Sequence, residues 1–415
     1  MSYRLPLDGI RILDLTMAWA GPYATRLLAD MGAEVVKIES ARNWDLLRAL
    51  HFLGRDTERW YDKSAYFNHL NRNKLGCALD LSTPGSRELF LALVSKSDVV
   101  IENLRPGALE DLGLTYGTLC SARPDVILVS MPAHGGGGPE SHRIAYGTNV
   151  EQVAGLTSVT GYVGGEPHKS GISYGDPVAG IAAAGAVGAA LLYRRRTGRG
   201  QYVELAQRET MTSLIGEFVV GYGMNGRQPP FLGNRHRSMA PHGVYPCAGD
   251  DQWLALAVGS DEEFAGLCRA IERPELAADA RFADVVSRYR HQDDLDEIIG
   301  AWTRERTPAE AAERLQGEEV AASPVLSIAQ LMADRHLRAR GFFETVSHAE
   351  AGVWDVDGVA WRFSGTPGHV RLPAPCFAEH NGYVFGELLG LSAAEIESLE
   401  AEGVIGNEPL LSLHD

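Results

Sequence analysis

Asp176 stands in the string Gly171-Ile172-Ser173-Tyr174-Gly175-Asp176-Pro177, where a glycine-rich loop runs into a helix of small residues. Pro177 suits the first helical position, because its missing N–H would have no intrahelical partner there. That spacing puts Asp176 at the N-cap, ionised at neutral pH, facing free amides and the positive end of the helix dipole. Such an aspartate is either a cap or a nucleophile with backbone donors beside it, and the string alone does not choose. Arg235-His236-Arg237 is a dense basic cluster. It reads either as a solvated loop or as a clamp for a carboxylate or phosphate, which arginine grips with paired hydrogen bonds. Gly135-Gly136-Gly137-Gly138-Pro139 is either a flexible turn or a ligand loop. The histidines show no metal-ligand spacing, and no G-x-S-x-G elbow is present. The first loop offers Gly21 but no G-x-G-x-x-G, so a dinucleotide pyrophosphate has no close approach to its backbone.

The elements that must position these groups alternate in type. Apolar runs at 10–15, 33–39, 77–81, 98–102 and 126–131 read as strands, with helices at 23–31 and 84–96 and a loop at 18–22. Nearly continuous apolar strands between helices indicate an α/β fold, a parallel, Rossmann-like sheet covered on both faces. The Gly135–Gly138 run follows the fifth strand, on the side where such sheets place ligands. A helix at 177–193, a strand at 202–205 and a helix at 207–218 continue the pattern. The character changes near 228, after a linker-like 226–230. A small hairpin at 244–258 and acidic amphipathic helices over 261–315 follow. A helix at 328–338, antiparallel strands over 342–363, a helix at 381–389 and a final acidic helix end the chain.

A length of 415 residues exceeds what one hydrophobic core usually holds, so two domains are expected. A formal charge of −16 argues against nucleic acid or an anionic membrane as partner. The longest apolar stretch, 178–193, is short and rich in Ala and Gly, which favours a buried helix over a membrane span. Cys77, Cys120, Cys247, Cys268 and Cys376 are scattered and odd in number, as in a reducing compartment. With no apolar leader at the start, the cytoplasm is the expected location.

Several strings, in order, carry a resemblance. They are 7–16 (LDGIRILDLT), 32–39 (GAEVVKIE), 71–74 (NRNK), 98–107 (DVVIENLRPG), 174–177 (YGDP) and 196–201 (RTGRGQ), with Ala374-Pro375 and 388–391 (LLGL) near the end. Each is weak alone; the ordered set, spanning essentially the whole chain, resembles the family III CoA-transferases, the CaiB/BaiF group. The resemblance implies that the nucleophile is Asp176. It implies CoA contacts at Ala18, Trp19, Leu79, Asn103, Leu104 and Tyr146, with Arg72, Lys74, Arg105 and Arg143 as phosphate partners. It also implies an intertwined homodimer, with a large CoA-binding domain from 1–225 and 326–415 and a small domain with linkers over 226–325.

The reaction the resemblance implies needs no tightly bound cofactor and no metal; CoA thioesters are substrates. Asp176 attacks the donor thioester to give an anhydride, then an aspartyl-CoA thioester, which an acceptor acid takes over. Amides around Gly136, Gly137 and Gly175 are the expected oxyanion donors. Arg235, His236 and Arg237 are the expected holders of a second carboxylate, which favours dicarboxylic acids. A 2-methylacyl-CoA racemase of the same fold is the nearest rival. It requires a His-Asp pair where this chain has Tyr146 and Gly147. Intramolecular transfer within one diacid uses the same aspartate, and a non-catalytic acyl-CoA binder would use Asp176 only as a cap.

Overall fold

The computed structural model describes residues 4–50 and 57–411. They group into two compact units, one of residues up to 156, 169–225 and from 337 onward, the other of 157–168 and 226–336.

In the first unit the chain runs β1 (Arg11–Asp14), α1 (Ala20–Asp30), β2 (Glu34–Glu39), α2 (Ala65–Asn71), β3 (Lys74–Ala78) and α3 (Ser86–Ser95). It continues through β4 (Val99–Glu102), α4 (Ala108–Asp111), α5 (Tyr116–Ala122), β5 (Ile127–Ser130) and α6 (Gly147–Val153). Then come α7 (Gly175–Thr197), β6 (Tyr202–Glu204), α8 (Gln207–Leu214) and α9 (Gly216–Asn225). The six strands form one parallel sheet in the order β3-β2-β1-β4-β5-β6. The order reverses at β1 and β4, which opens a crevice beyond their carboxyl ends, where α/β sheets bind ligands.

Successive residues on each strand face opposite layers. Leu13, Val36, Val100 and Leu128 pack on one face against Phe90, Leu93, Leu119 and Phe385. Ile12, Val35, Val99 and Ile127 pack on the other against Ala24 and Leu28 of α1 and Ala179, Ala183, Val187 and Ala190 of α7. By length and composition α7 is apolar enough to cross a membrane, but this stripe is fully buried inside the unit. Small residues let α7 lie close to the start of α1: a β-carbon at Gly180 would come 2.7 Å from the Ala20 carbonyl oxygen.

Both helices begin earlier than the sequence predicts. α1 starts at Ala20 and holds Pro22 inside its first turn. α7 starts at Gly175, so Asp176 is the second helical residue rather than the N-cap. First-turn amides have no intrahelical acceptor, so proline is tolerated throughout that turn and does not by itself mark the boundary.

The second unit holds an antiparallel sheet of β7 (His242–Pro246), β8 (Trp253–Ala257) and, after four helices, β9 (Ala321–Val325), in the order β7-β8-β9. Pro324 lies in β9, an edge strand, where a missing N–H costs no ladder bond. The helices α10 (Asp261–Ala270), α11 (Val285–Arg290), α12 (Gln292–Thr303) and α13 (Pro308–Gly317) are capped by side chains at Ser260, Asp284 and Thr307 in three of four cases. They close a separate core around Leu254, Leu256, Phe264, Phe282, Leu295 and Leu315. The chain then returns to the first unit through the hairpin β10 (Phe343–His348) and β11 (Gly352–Asp357). Residues Gly382–Leu388 wind as a π-helix, not the α-helix expected there, and bury Val384 and Phe385.

Candidate active site

Asp176 lies in a cavity of about 200 Å³ beyond the carboxyl ends of β1 and β4, with Met17, Ala18, Asn103, Tyr146, Gly147 and Gln207 in its wall. Two elements, α1 and α6, converge on its carboxylate. The backbone N–H of Ala20, at the start of α1, donates to it. Gly147 opens α6 beside it, and a β-carbon there would overlap Asp176 Oδ2. Glu151, one turn further along α6 and completely buried, adds negative charge. Burial, reinforced by Glu151, pushes the Asp176 carboxyl up to about 7 against the opposing pull of the Ala20 amide. The expectation of a fully ionised N-cap is therefore corrected: Asp176 lies inside the first turn of α7, and burial disfavours its charged form. Tyr66 on α2 also senses this carboxylate; burial first, then Asp176, raises its phenol to about 12.

The first loop is built on buried charge. Lys74 at the start of β3 pairs with Asp14 at 3.0 Å, and Lys37 on β2 pairs with Asp45 at 2.9 Å, all four side chains fully buried. Lys37 Nζ donates to the Thr16 carbonyl at 2.8 Å, and the Ala18 N–H donates to Asp45 Oδ1 at 3.2 Å. Asn103, just past β4, exchanges two hydrogen bonds with the Met17 backbone, each 2.8 Å. These anchors hold Ala18 at φ +62°, a left-handed conformation that alanine rarely adopts and that clusters at functional sites. Trp19 follows as the N-cap of α1, its ring edge-on to Tyr66 at 5.4 Å.

A second cavity of about 200 Å³ shares Met17 and Leu104 with the first and includes Leu79, Ser40, Arg42 and Ser82. Of the residues singled out from the sequence, Ala18, Asn103, Leu104, Arg105, Arg143, Tyr146 and Asp176 line the first cavity, and Leu79 the second. Arg105 and Arg143 are exposed and paired with Asp111 at 2.6 Å and Glu140 at 2.8 Å. Four groups of predicted residues lie elsewhere. Arg72 is buried and grips both Asp30 oxygens, at 2.8 and 3.2 Å, so its charge is neutralised inside the protein rather than offered to a phosphate. Lys74 is committed to Asp14, Asn71 and the Pro22 carbonyl. Gly136 backs onto Glu204 in a neighbouring cavity with Glu102, and Gly137 stands in open space, so neither joins the wall around Asp176. Arg235 is held by Asp293 and, at 2.8 Å, Asp296, while His236 Nδ1 accepts from the Ser238 backbone N–H at 3.2 Å. Arg235 has its partners in the second unit, and Arg237 is also partnered. Sequence reasoning missed Gly147, Glu151, Tyr66, Gln207 and Arg42. The first two sit on a short helix whose sequence carries no motif.

Residues 7–381 match the family described as CoA-transferase family III. The chain belongs to that family. The succinyl-CoA–D-citramalate CoA-transferase of Chloroflexus aurantiacus is 34% identical over 400 residues, 96% of this chain and 98% of that protein. The succinyl-CoA:mesaconate CoA-transferase of Haloarcula hispanica is 35% identical over 401 residues, 94% and 99% of the two chains. The crystal structure of a CaiB/BaiF family protein from Brucella suis superposes with a TM-score of 0.84 at 30% identity, covering 93% of this chain and all of that one. This protein is a CoA-transferase, a class whose substrates are CoA thioesters, and its mixed α/β fold with six parallel strands is that of the CaiB/BaiF structures.

Proposed function

We propose that the transferase moves CoA from a dicarboxylic acyl-CoA of the succinyl-CoA type to a small dicarboxylic acid, with Asp176 as covalent nucleophile. One observation carries this reading: a half-buried carboxylate in the crevice, with one backbone donor, no cation paired with it among the described residues, and a glycine clearing space at its oxygen. Such a carboxylate is poorly solvated and therefore reactive, and near neutral pH a large share of it is ionised. The donor and acceptor classes follow from the names of the relatives, which act with succinyl-CoA on citramalate and mesaconate.

The carboxylate attacks the donor thioester carbonyl, forming an acyl-aspartyl anhydride and releasing CoA thiolate. The thiolate attacks the aspartyl carbonyl, giving an aspartyl-CoA thioester and the free donor acid. The acceptor carboxylate then attacks that thioester, forming a second anhydride and thiolate. The thiolate attacks the acceptor's acyl carbonyl, and Asp176 is regenerated. The Ala20 amide at the start of α1 donates to this carboxyl group and suits the oxyanions that form on it; losing one such donor typically costs about 10²–10³ in rate. The second cavity suits the nucleotide end of CoA, with Arg42 at its mouth and Arg105 and Arg143 on the first cavity as phosphate partners.

The exposed apolar side chains of α7 and α9, Ile181, Leu192, Val219, Val220, Tyr222 and Met224, favour the intertwined homodimer of a cytoplasmic enzyme. A monomer by light scattering at micromolar concentration would refute that part. The test of the chemistry is trapping. Incubation with succinyl-CoA and hydroxylamine is expected to leave a hydroxamate at Asp176, read by peptide mass, with loss of activity. An unmodified Asp176 in an enzyme that is turning over would refute the covalent route.

A further inference from the structure

Glu151 takes no part in the steps above, yet its placement is unusual. It is completely buried on α6, and its Oε1 accepts from Ser170 Oγ at 2.8 Å and from the backbone N–H of Tyr174. Both donors belong to the loop that delivers Asp176. Its other oxygen, Oε2, is buried with no hydrogen-bond partner among the described residues. A buried carboxylate oxygen left without donor or cation is costly. Packing does not require it there, since a glutamine would hold the loop equally well by its amide oxygen.

We propose that Glu151 is a positioning residue of the transfer reaction, holding the Ser170–Tyr174 loop with one oxygen and setting the charge around Asp176 with the other. The inference rests on Asp176 being the nucleophile. Asp176 is faced by Glu151 from α6, by Tyr66 from α2 and by the Ala20 N–H from α1; Arg105 and Arg143, paired with Asp111 and Glu140, and Gln207 of α8 line the same cavity. Glu151 is thus the one like charge acting on it, and it adds to burial in raising the Asp176 carboxyl. A like charge beside a half-buried carboxyl disfavours its ionised form. Acylation turns the Asp176 carboxylate into an uncharged anhydride linkage and moves its charge to the departing CoA thiolate, which relieves the repulsion from Glu151. Glu151 so favours the acylated enzyme over the free one.

The test is the pH dependence of Asp176 acylation in single turnover with succinyl-CoA. In the parent the acid limb is expected near pH 7. Glu151→Gln keeps the acceptor oxygen and removes the charge, so its limb should move down by about one pH unit with KM for the acyl-CoA within about twofold. Glu151→Ala also releases the loop, and its plateau rate should fall about 10²-fold. Ser170→Ala weakens the anchor while leaving the charge, and should lower the plateau roughly fivefold without moving the limb. A Glu151→Gln profile superimposable on the parent's would overturn the proposal. So would a parental limb at about 4, the ordinary carboxylate range, which needs no variant to be folded. The two readings separate cleanly. A parent that forms no hydroxamate at Asp176 removes the nucleophile; a labelled parent with an unmoved Glu151→Gln profile removes only the role of Glu151.

Discussion

Two groups of buried charge flank the start of α1, and they are built on opposite plans. Beneath the first loop, Asp14, Lys37, Asp45 and Lys74 form a balanced set of two cations and two anions, each within 3.0 Å of a partner of opposite charge. Burial is the largest influence on Asp14, yet Lys74 and Lys37 hold its carboxyl below the ordinary aspartate value, and Asp45 and Asp14 hold the Lys37 ammonium up. Across α1, Asp176 has Glu151 as a like charge and no cation paired with it among the described residues, and there burial wins and its carboxyl rises. The balanced set stays largely paired and ionised at neutral pH, although burial lowers the Lys74 ammonium to about 8 against the pull of Asp14. It serves as a scaffold for the strained Ala18. The Asp176 carboxyl is left able to change state near neutral pH, and groups displaced in this way concentrate where chemistry occurs.

Asp176→Asn separates the two plans most sharply. Activity should fall by about 10⁴-fold, the scale seen when a member of a catalytic set is removed. Stability should not fall with it. The folded carboxyl holds its proton up to about pH 7, whereas in the unfolded chain it is lost near pH 4. The unfolded state therefore binds fewer protons across that window, so the parent loses stability as pH rises through it. Urea titrations should show the asparagine variant level with the parent below about pH 4 and the more stable of the two above about pH 7. A variant less stable than the parent at every pH would mean that Asp176 is a structural cap after all.

Lys74→Met makes the reverse test. Asp14 would keep its hydrogen bonds to Thr16 and Thr25 but lose its nearest cation inside a dry interior. Breaking a buried pair by removing one partner costs about 3–5 kcal/mol. That loss should appear in urea unfolding, and adding Asp14→Asn should recover part of it, since the two residues are in contact. If the single variant lost under about 1 kcal/mol, the set beneath the loop would not be the scaffold described here.

The contrast also explains what the sequence could tell. Strands announce themselves locally, as apolar runs such as Ile10–Leu15 between glycines and polar residues, so the parallel sheet and its crevice were legible. Asp176 was legible because Gly-Asp-Pro at the end of a glycine-rich loop is an unusual local string. The destinations of the charges were not. Arg72 and Lys74 read as phosphate ligands only while Asp30 and Asp14, 42 and 60 residues away, are unseen as their partners. Arg235 read as a carboxylate clamp until Asp296, 61 residues on, closed over it. Ion pairing is a property of the folded chain, so a reading by local pattern assigns cations to ligands that the protein has already neutralised. Glu151 fails in the opposite direction, as an acid on a short helix with no signature, made significant only by the loop that folds against it.

Gly147 gives the smallest and most local test of the unbalanced pocket. It opens α6 with a buried backbone, and any side chain there would enter the space of Asp176 Oδ2. Gly147→Ala must therefore push the carboxylate aside by about a methyl radius, away from the Ala20 amide or toward Glu151. A displacement near 1 Å at a reacting group costs about 10² in rate. The helix itself should tolerate the change, because alanine has the better helix propensity by about 1 kcal/mol. The expected result is a kcat reduced about 10²-fold with a thermal midpoint within a few degrees of the parent. Were the alanine variant fully active, the carboxylate would have room to move without consequence, and the tight seat of Asp176 would not be what prepares it to react.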